Sequence, residues 1–296
     1  MPWGAQSWLK ITPETTYGVR NGAGAATWCR LHADDAFTMR PAPLAQIIRS
    51  ADGGNRRRQR VAARTAYGGQ LTTLMYPTQA AVLLGAAFNL TSNDLGSYTL
   101  DFFDSVRVQG YLGAKVKSLK IVSQADQDYL IVQLGWVAQR LDASLTTLAQ
   151  PLDDVFPSEV PYEHVETDGL ITVGGSAIGL YRGITVDVTN ILTGTWDEKR
   201  YITSCYYGGR DVDVQVDLQY VSTAFRAALE AQTALAVSLG WARTSPTKSV
   251  TLDLKTKDYT AAVADRIPLS GPAYQTVSIE SFYDQGAGTD CALTVV

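Results

Sequence analysis

The chain has 296 residues, with 25 basic and 29 acidic side chains and a formal net charge of −4. That balance excludes a general nucleic-acid binder, which carries a basic excess. Three widely spaced cysteines, Cys29, Cys205 and Cys291, exclude a disulfide framework and fit buried thiols in a reducing compartment. No apolar run approaches membrane-spanning length and MPWGAQSWLK lacks a signal pattern, so a soluble protein made in the cytoplasm is expected.

In chain order, the first motif is a run of arginines in GGNRRRQRVAARTAYGG (53–69): Arg56, Arg57, Arg58, Arg60 and Arg64. PTQAAVLLGAAF (77–88) reads as a helix that opens on Pro77, a residue suited to the first helical turn. KVKSLKIV (115–122) and DYLIVQLGWV (128–137) read as strands. QPLDDVFPSEVPYEH (150–164) carries Pro151, Pro157 and Pro161, which disfavour helix and central strand and predict an extended linker. GITVDVTN (183–190), DVDVQVDL (211–218) and SVTLDLKTKD (249–258) alternate apolar and polar residues, the period of a strand with one buried face. Between them, VSTAFRAALEAQ (221–232) places Val221, Phe225, Ala228 and Leu229 on one helical stripe, with Ser222 or Thr223 as N-cap.

These segments recur. RVAARTAYGG (60–69) matches RYITSCYYGG (200–209), SYTLD (97–101) matches SVTLD (249–253), and VKSLKI (116–121) resembles YQTVSI (274–279), all in one order. LGW at 134–136 and 239–241 falls out of that order and is treated as chance. The expected organisation is an arm (1–30), a first repeat (31–150), a linker (151–180) and a second repeat (181–296), mostly β with one helix per repeat.

Catalytic constellations are sparse. The two histidines, His32 and His164, lack a nucleophile-elbow serine, and the CxxH pair Cys29 and His32 has no second pair to complete a metal site. Neither the YGVRNGAGAA stretch nor GGSAIG (174–179) fits a phosphate-binding spacing. Asp187, Asp211, Asp213, Asp217 and Asp253 line polar strand faces, and paired carboxylates allow a hydrolase, although a wet acidic face is the plainer reading. No enzyme activity, metal or cofactor is expected. A duplicated β-sandwich rich in Tyr and Trp also permits a glycan-binding module.

With ETTYGV (14–19), the basic stretch before YGGQLTTLMYPTQAAVLLGAAF (67–88), SYTLDFF (97–103), YLGAKVKSLKI (111–121) and YRGITVDVTN (181–190) in succession, the chain resembles the major tail tube proteins of long-tailed bacteriophages. The resemblance implies a mainly β fold: two tandem tail-tube-type β-sandwiches or barrels, each with a flanking α-helix, plus an extended N-terminal arm and long loops. It implies a virion protein, assembled in the host cytoplasm, whose rings stack into a hollow tube. A tape measure protein and a tail terminator are implied partners, DNA passes through without specific binding, and no membrane is involved. A terminator, distal-tail or baseplate ring protein shares the implied fold.

Two copies per chain favour a trimeric ring of pseudo-six-fold symmetry over a hexamer. The five aspartates above are candidate lumen residues, because carboxylates repel a passing phosphate backbone. Glu14, Thr15, Thr16 and Tyr17 are candidate arm contacts. Candidate inter-ring contacts are the five arginines of the basic run, expected at the end of a long loop, and the counterpart Trp196, Asp197, Glu198, Lys199 and Arg200. For the arginines, a solvated loop and nucleic-acid binding are the alternatives to a protein contact.

Overall fold

Alternating apolar residues decide most of this fold: along DVDVQVDL, Val212, Val214, Val216 and Leu218 are buried while Asp211 and Asp213 are exposed. The computed structural model describes residues 7–22, 24–31, 37–43, 46–49, 57–61, 65–91, 93–104, 108–146, 159–167, 170–173, 176–177, 181–219, 224–244, 247–266, 273–282 and 291–296. Its first half comprises β1 (Ser7–Pro13), β2 (Thr27–Arg30), β3 (Phe37–Pro43), β4 (Gln46–Arg49), β5 (Arg57–Val61), β6 (Thr65–Leu74) and α1 (Pro77–Phe88). It continues through β7 (Leu90–Thr91), β8 (Asp94–Leu95), β9 (Tyr98–Asp104), β10 (Val108–Gln124), β11 (Ile131–Ala138) and β12 (Arg140–Leu141). The second half comprises β13 (Thr172–Val173), β14 (Ser176–Ala177), β15 (Tyr181–Thr195), β16 (Ser204–Gln219) and α2 (Ala224–Ala231). β17 (Ala234–Thr244), β18 (Thr247–Arg266), β19 (Tyr274–Ser281) and β20 (Cys291–Val295) complete it.

Sixteen of the described strands form one antiparallel sheet, which does not close into a barrel. In the first half the pairing runs β2-β1-β9-β10-β11-β6-β3, with β12 on the far side of β10. In the second it runs β14-β13-β17-β18-β19-β16-β15, with β20 on the far side of β18. Strand for strand, the connections are the same: hairpin, hairpin, helix, hairpin, a strand inserted in the middle, then a short flank. The YGG triplets at 67–69 and 207–209 lie on corresponding strands, β6 and β16. SYTLD lies on β9 but SVTLD on β18, and VKSLKI on β10 but YQTVSI on β19, so those matches join strands holding different places in the two orders. Short period-two segments align easily with the wrong strand, because any half-buried strand has the same pattern.

β10 and β18 are long enough to serve two layers. Residues 108–114 of β10 pair with β9 and β12, and residues 115–124 pair with β11 and β15. The switch lies at Gly113, whose φ of 63° suits glycine and whose added Cβ would stand 2.8 Å from Gln139 Cβ. The layers share one apolar cluster, with Phe37 against Phe102 (4.9 Å between ring centroids), Tyr67 against Tyr111 (5.8 Å) and Tyr98 against Trp136 (5.9 Å). Trp136 and Trp241 anchor the two halves of that cluster.

Two expectations change. Within the expected arm, β1 lies inside the sheet between β2 and β9, because SWLKITP buries Trp8, Leu9, Ile11 and Thr12. Within the expected linker, Tyr162 is fully buried, its backbone bonded to Met75 and Leu130, and β13 pairs with β17. The sheet therefore draws residues of both segments into the two halves. The helices also differ. α1 begins on Pro77 as expected and buries both its faces, whereas α2 leaves Arg226, Ala227, Glu230 and Ala231 exposed. The expected α2 caps, Ser222 and Thr223, with Val221, lie outside the described residues, as does the Phe225 side chain.

Candidate functional site

The outer face of the sheet around β15, β16 and β19 carries a carboxylate row. Asp187 stands directly opposite Asp213, and Asp213 opposite Glu280, so three acids cross three adjacent strands. Like charges directly opposite one another oppose pairing. Burial, followed by Glu280, Asp211 and Asp187, raises the Asp213 pKa. Lys120 closes the row on β10, 3.4 Å from Asp187. Asp211 and Asp217 lie on the same face of β16 as Asp213, and Asp217 accepts a hydrogen bond from Thr276 Oγ1 at 2.5 Å. Asp253 is set apart: it lies on the part of β18 that pairs with β17 and β20, in the other layer, hydrogen-bonded to Ser238. Alternation placed all five on polar faces but could not say that two layers were involved. Glu280, on the exposed face of YQTVSIES, belongs with the row; its place opposite an aspartate needs the pairing register.

On the first-half side, the same sheet face is less charged. A shallow groove of about 520 Å³ runs over it, with Gln70, Lys117, Lys120, Gln133, Asp187 and Thr189 in its lining. Its floor is continuous strand, and it offers no enclosed pocket for a small substrate.

The basic run is not the end of a loop. Arg57, Arg58 and Arg60 lie on β5, which pairs with β4 as a two-stranded hairpin inserted between β3 and β6. Arg56 and Arg64 lie outside the described residues. The connection between β15 and β16 occupies the corresponding place with Trp196, half-buried, and Asp197, Glu198, Lys199 and Arg200, all exposed. The two connections meet, because Thr65 N donates to Arg200 O at 2.7 Å. Tyr201 lies beneath two cations, Lys199 Nζ at 5.5 Å and the Arg140 guanidinium at 5.2 Å from its ring centroid. The strand that follows the basic run thus touches the end of the 196–200 connection.

Of the candidate arm contacts, Glu14 is engaged within the chain. It accepts hydrogen bonds from Gly18 N (2.8 Å), Ser97 Oγ (2.9 Å), Thr99 Oγ1 (2.9 Å) and Gly113 N (3.0 Å). ETTYGV and SYTLDFF, distant in sequence, are thus latched together. Tyr17 packs by the switch glycine and under Lys115, and burial, then the neighbouring Cys205, Glu14 and Asp94, raise its phenol pKa far above the ordinary value. Thr15 and Thr16 are exposed.

Among the described residues, the His and Cys side chains suited to catalysis are wholly or partly buried. Ser123 Oγ and His164 Nδ1 are 2.8 Å apart, but Ser123 is completely buried, and burial lowers the His164 pKa. Burial pushes the Cys29 thiol up to about 12 and raises Cys205, so neither offers a ready thiolate. His32 lies outside the described residues. Among the described residues there is no group of three or more His, Cys, Asp or Glu side chains that could hold a metal ion. No described helix is long and apolar enough to cross a membrane.

Compared with known families, the chain matches the one described as phage tail tube protein over residues 4–280. No curated protein matches it.

Proposed function

The chain belongs to the phage tail tube protein family, and on that footing we propose that it is the major tail tube subunit, forming rings that stack into the channel for DNA. The observation that carries this reading is the repeated strand order, each half having the same eight-strand plan. We read the chain as a tandem duplication, so three subunits supply six equivalent sectors and the ring is a trimer of pseudo-six-fold symmetry. A hexamer would place twelve sectors in one wall.

In such a ring, β3, β6, β11, β10, β15, β16, β19 and the end of β18 form a continuous inner wall. Three chains then supply 24 strands, which at a spacing of about 4.8 Å make a barrel roughly 37 Å across at the backbone before strand tilt. Asp187, Asp211, Asp213 and Asp217, with Glu280, face its lumen, while Asp253 lies in the outer layer. Carboxylates repel phosphate and give a passing duplex no holding point, so DNA moves through without specific binding. The end bearing β4, β5 and residues 196–200 meets the next ring, where guanidiniums pair with carboxylates of a neighbour. Exposed Thr15 and Thr16 extend that axial contact. A tape measure protein occupies the lumen during assembly and a terminator caps the finished tube in the host cytoplasm.

Electron microscopy and native mass spectrometry of the concentrated protein test this reading. Stacked tubes whose rings contain three chains are expected, and Arg56, Arg57 and Arg58 changed together to Ser are expected to give rings that stack poorly. Six chains per ring would overturn the trimer. Rings that never stack would place the chain among terminator, distal-tail or baseplate proteins. Persistent monomers that bind glycans would overturn the tube.

A further inference from the structure

Resting on the tube reading, we infer that the junction between the two halves of this chain is repeated between chains, and that helix α2 of one subunit docks in a groove beside β3 of the next. Within the chain, the halves join by β15 pairing with residues 118–124 of β10, Ile121 opposite Val186 and Lys120 opposite Asp187. The same step brings α1 of the first half onto the second. Asn190 Nδ2 on β15 donates to Ala87 O (3.1 Å), and Arg210 Nη1 on β16 donates to Ala87 O (3.3 Å) and Phe88 O (3.2 Å), while α1 also touches β18 and β20.

Each element of that junction has a counterpart that lacks the corresponding contact among the described residues. β3, which corresponds to β15, pairs with β6 alone, and residues 260–266 of β18, which correspond to the end of β10, pair with β19 alone. α2, which corresponds to the covered α1, packs on β18 and leaves Arg226, Ala227, Glu230 and Ala231 exposed. The surface on which α1 rests is built from β15, β16, β18 and β20. Its counterpart, built from β3, β6, β10 and β12, is a groove of about 480 Å³ lined by Phe37, Met39, Pro41, Tyr67, Tyr111 and Leu141 among others. Among the described residues, apolar side chains, an edge strand and an open groove thus stand on the first half, and a helix and an unpaired edge stand on the second. A second copy placed head to tail covers both, and removes two unpaired sheet edges.

The pairing register follows from the ladders. Leu71 stands opposite both Phe37 and Leu134, as Val214 stands opposite both Val186 and Ile279. With Leu71 set equivalent to Val214, Phe37 takes the place of Val186. Ile121 stands opposite Val132, as Val263 stands opposite Val277, so Val263 takes the place of Ile121. Phe37 then meets Val263 on the core side, and Thr38 meets the exposed Ala262 on the lumen side, across the subunit boundary. A shift of one residue would turn one core face to water.

Disulfide trapping tests this junction. Thr38→Cys is combined in one chain with Ala262→Cys, and in a second version with Ala264→Cys, the next position on that face. The assembled protein is oxidised and read by non-reducing electrophoresis. Most chains are expected in two-chain and three-chain bands in at least one version, since the three native cysteines are buried. Leu141→Glu, an exposed groove position, is expected to abolish rings while leaving the circular dichroism of the monomer unchanged. Tubes without cross-links in either version, or full assembly of Leu141→Glu, would overturn the junction and leave the tube reading standing. Monomers alone, without rings or cross-links, would overturn both.

Discussion

Asp101 is 1 % exposed, in the middle of SYTLDFF, and one side chain engages both its carboxylate oxygens. Arg20 donates to both its oxygens at 2.8 Å, and also reaches Asp142 at 2.9 and 3.0 Å. Burial works against the Asp142 charge, but hydrogen bonds from Ser144 and Arg20 outweigh it and hold the pKa below the usual carboxylate range. Arg20→Ala leaves Asp101 buried without its bidentate partner, so a loss of about 3–5 kcal/mol is expected in denaturant unfolding. Asp142→Asn should cost less, because Asp142 is closer to solvent and Asp101 keeps its guanidinium. The motifs were visible in the sequence as short strings. Their role as the two sides of a latch was not, since Arg20, Asp101 and Asp142 converge only when β9 and β12 flank the same strand.

α1 shows the same dependence at the level of an element. Its sequence, rich in Ala and Leu, predicts a helix, and Pro77 marks its start. It has no basic residue in its last turn, so its terminal carbonyls rely on Asn190 and Arg210 from the other half. Asn190→Ala removes donors to Ala87 O and Val116 O and is expected to cost about 1–3 kcal/mol. Arg210→Ala should cost less, as its guanidinium is partly exposed and can be replaced by water. Hydrogen exchange would localise both effects to the last turn of α1; unchanged protection there would contradict the assignment. For α2 the apolar stripe was equally legible, and the helix packs against β18 with Arg226, Ala227, Glu230 and Ala231 left exposed; an amphipathic pattern specifies a face to be covered and not what covers it.

At the scale of the whole molecule, charge is distributed unevenly over one sheet face. The second half carries Asp187, Asp211, Asp213, Asp217 and Glu280, while the first half contributes the cations Arg40, Lys117 and Lys120. Because the folded pKa of Asp213 is raised, its ionised form subtracts stability at neutral pH. That penalty disappears as the pH falls through the raised value toward the ordinary carboxylate range. Asp213→Asn is therefore expected to raise the melting temperature at pH 7, with the gain vanishing in acid. A gain that persists at low pH would mean that packing, and not repulsion, was responsible.

The sequence by itself determined the mainly β character, the strand faces, both helices, the buried thiols and the likeness to tail tube proteins. These follow from periodicity, residue type and motif order, all local along the chain. Tertiary structure alone decided which strands correspond between the halves, that the arginine run is a hairpin, that Asp253 stands apart, and that Glu280 joins the acidic row. Each depends on register and layer, and a half-buried strand has the same alternating signature wherever it pairs. Pairing partners far apart in sequence, not any local preference, set those outcomes.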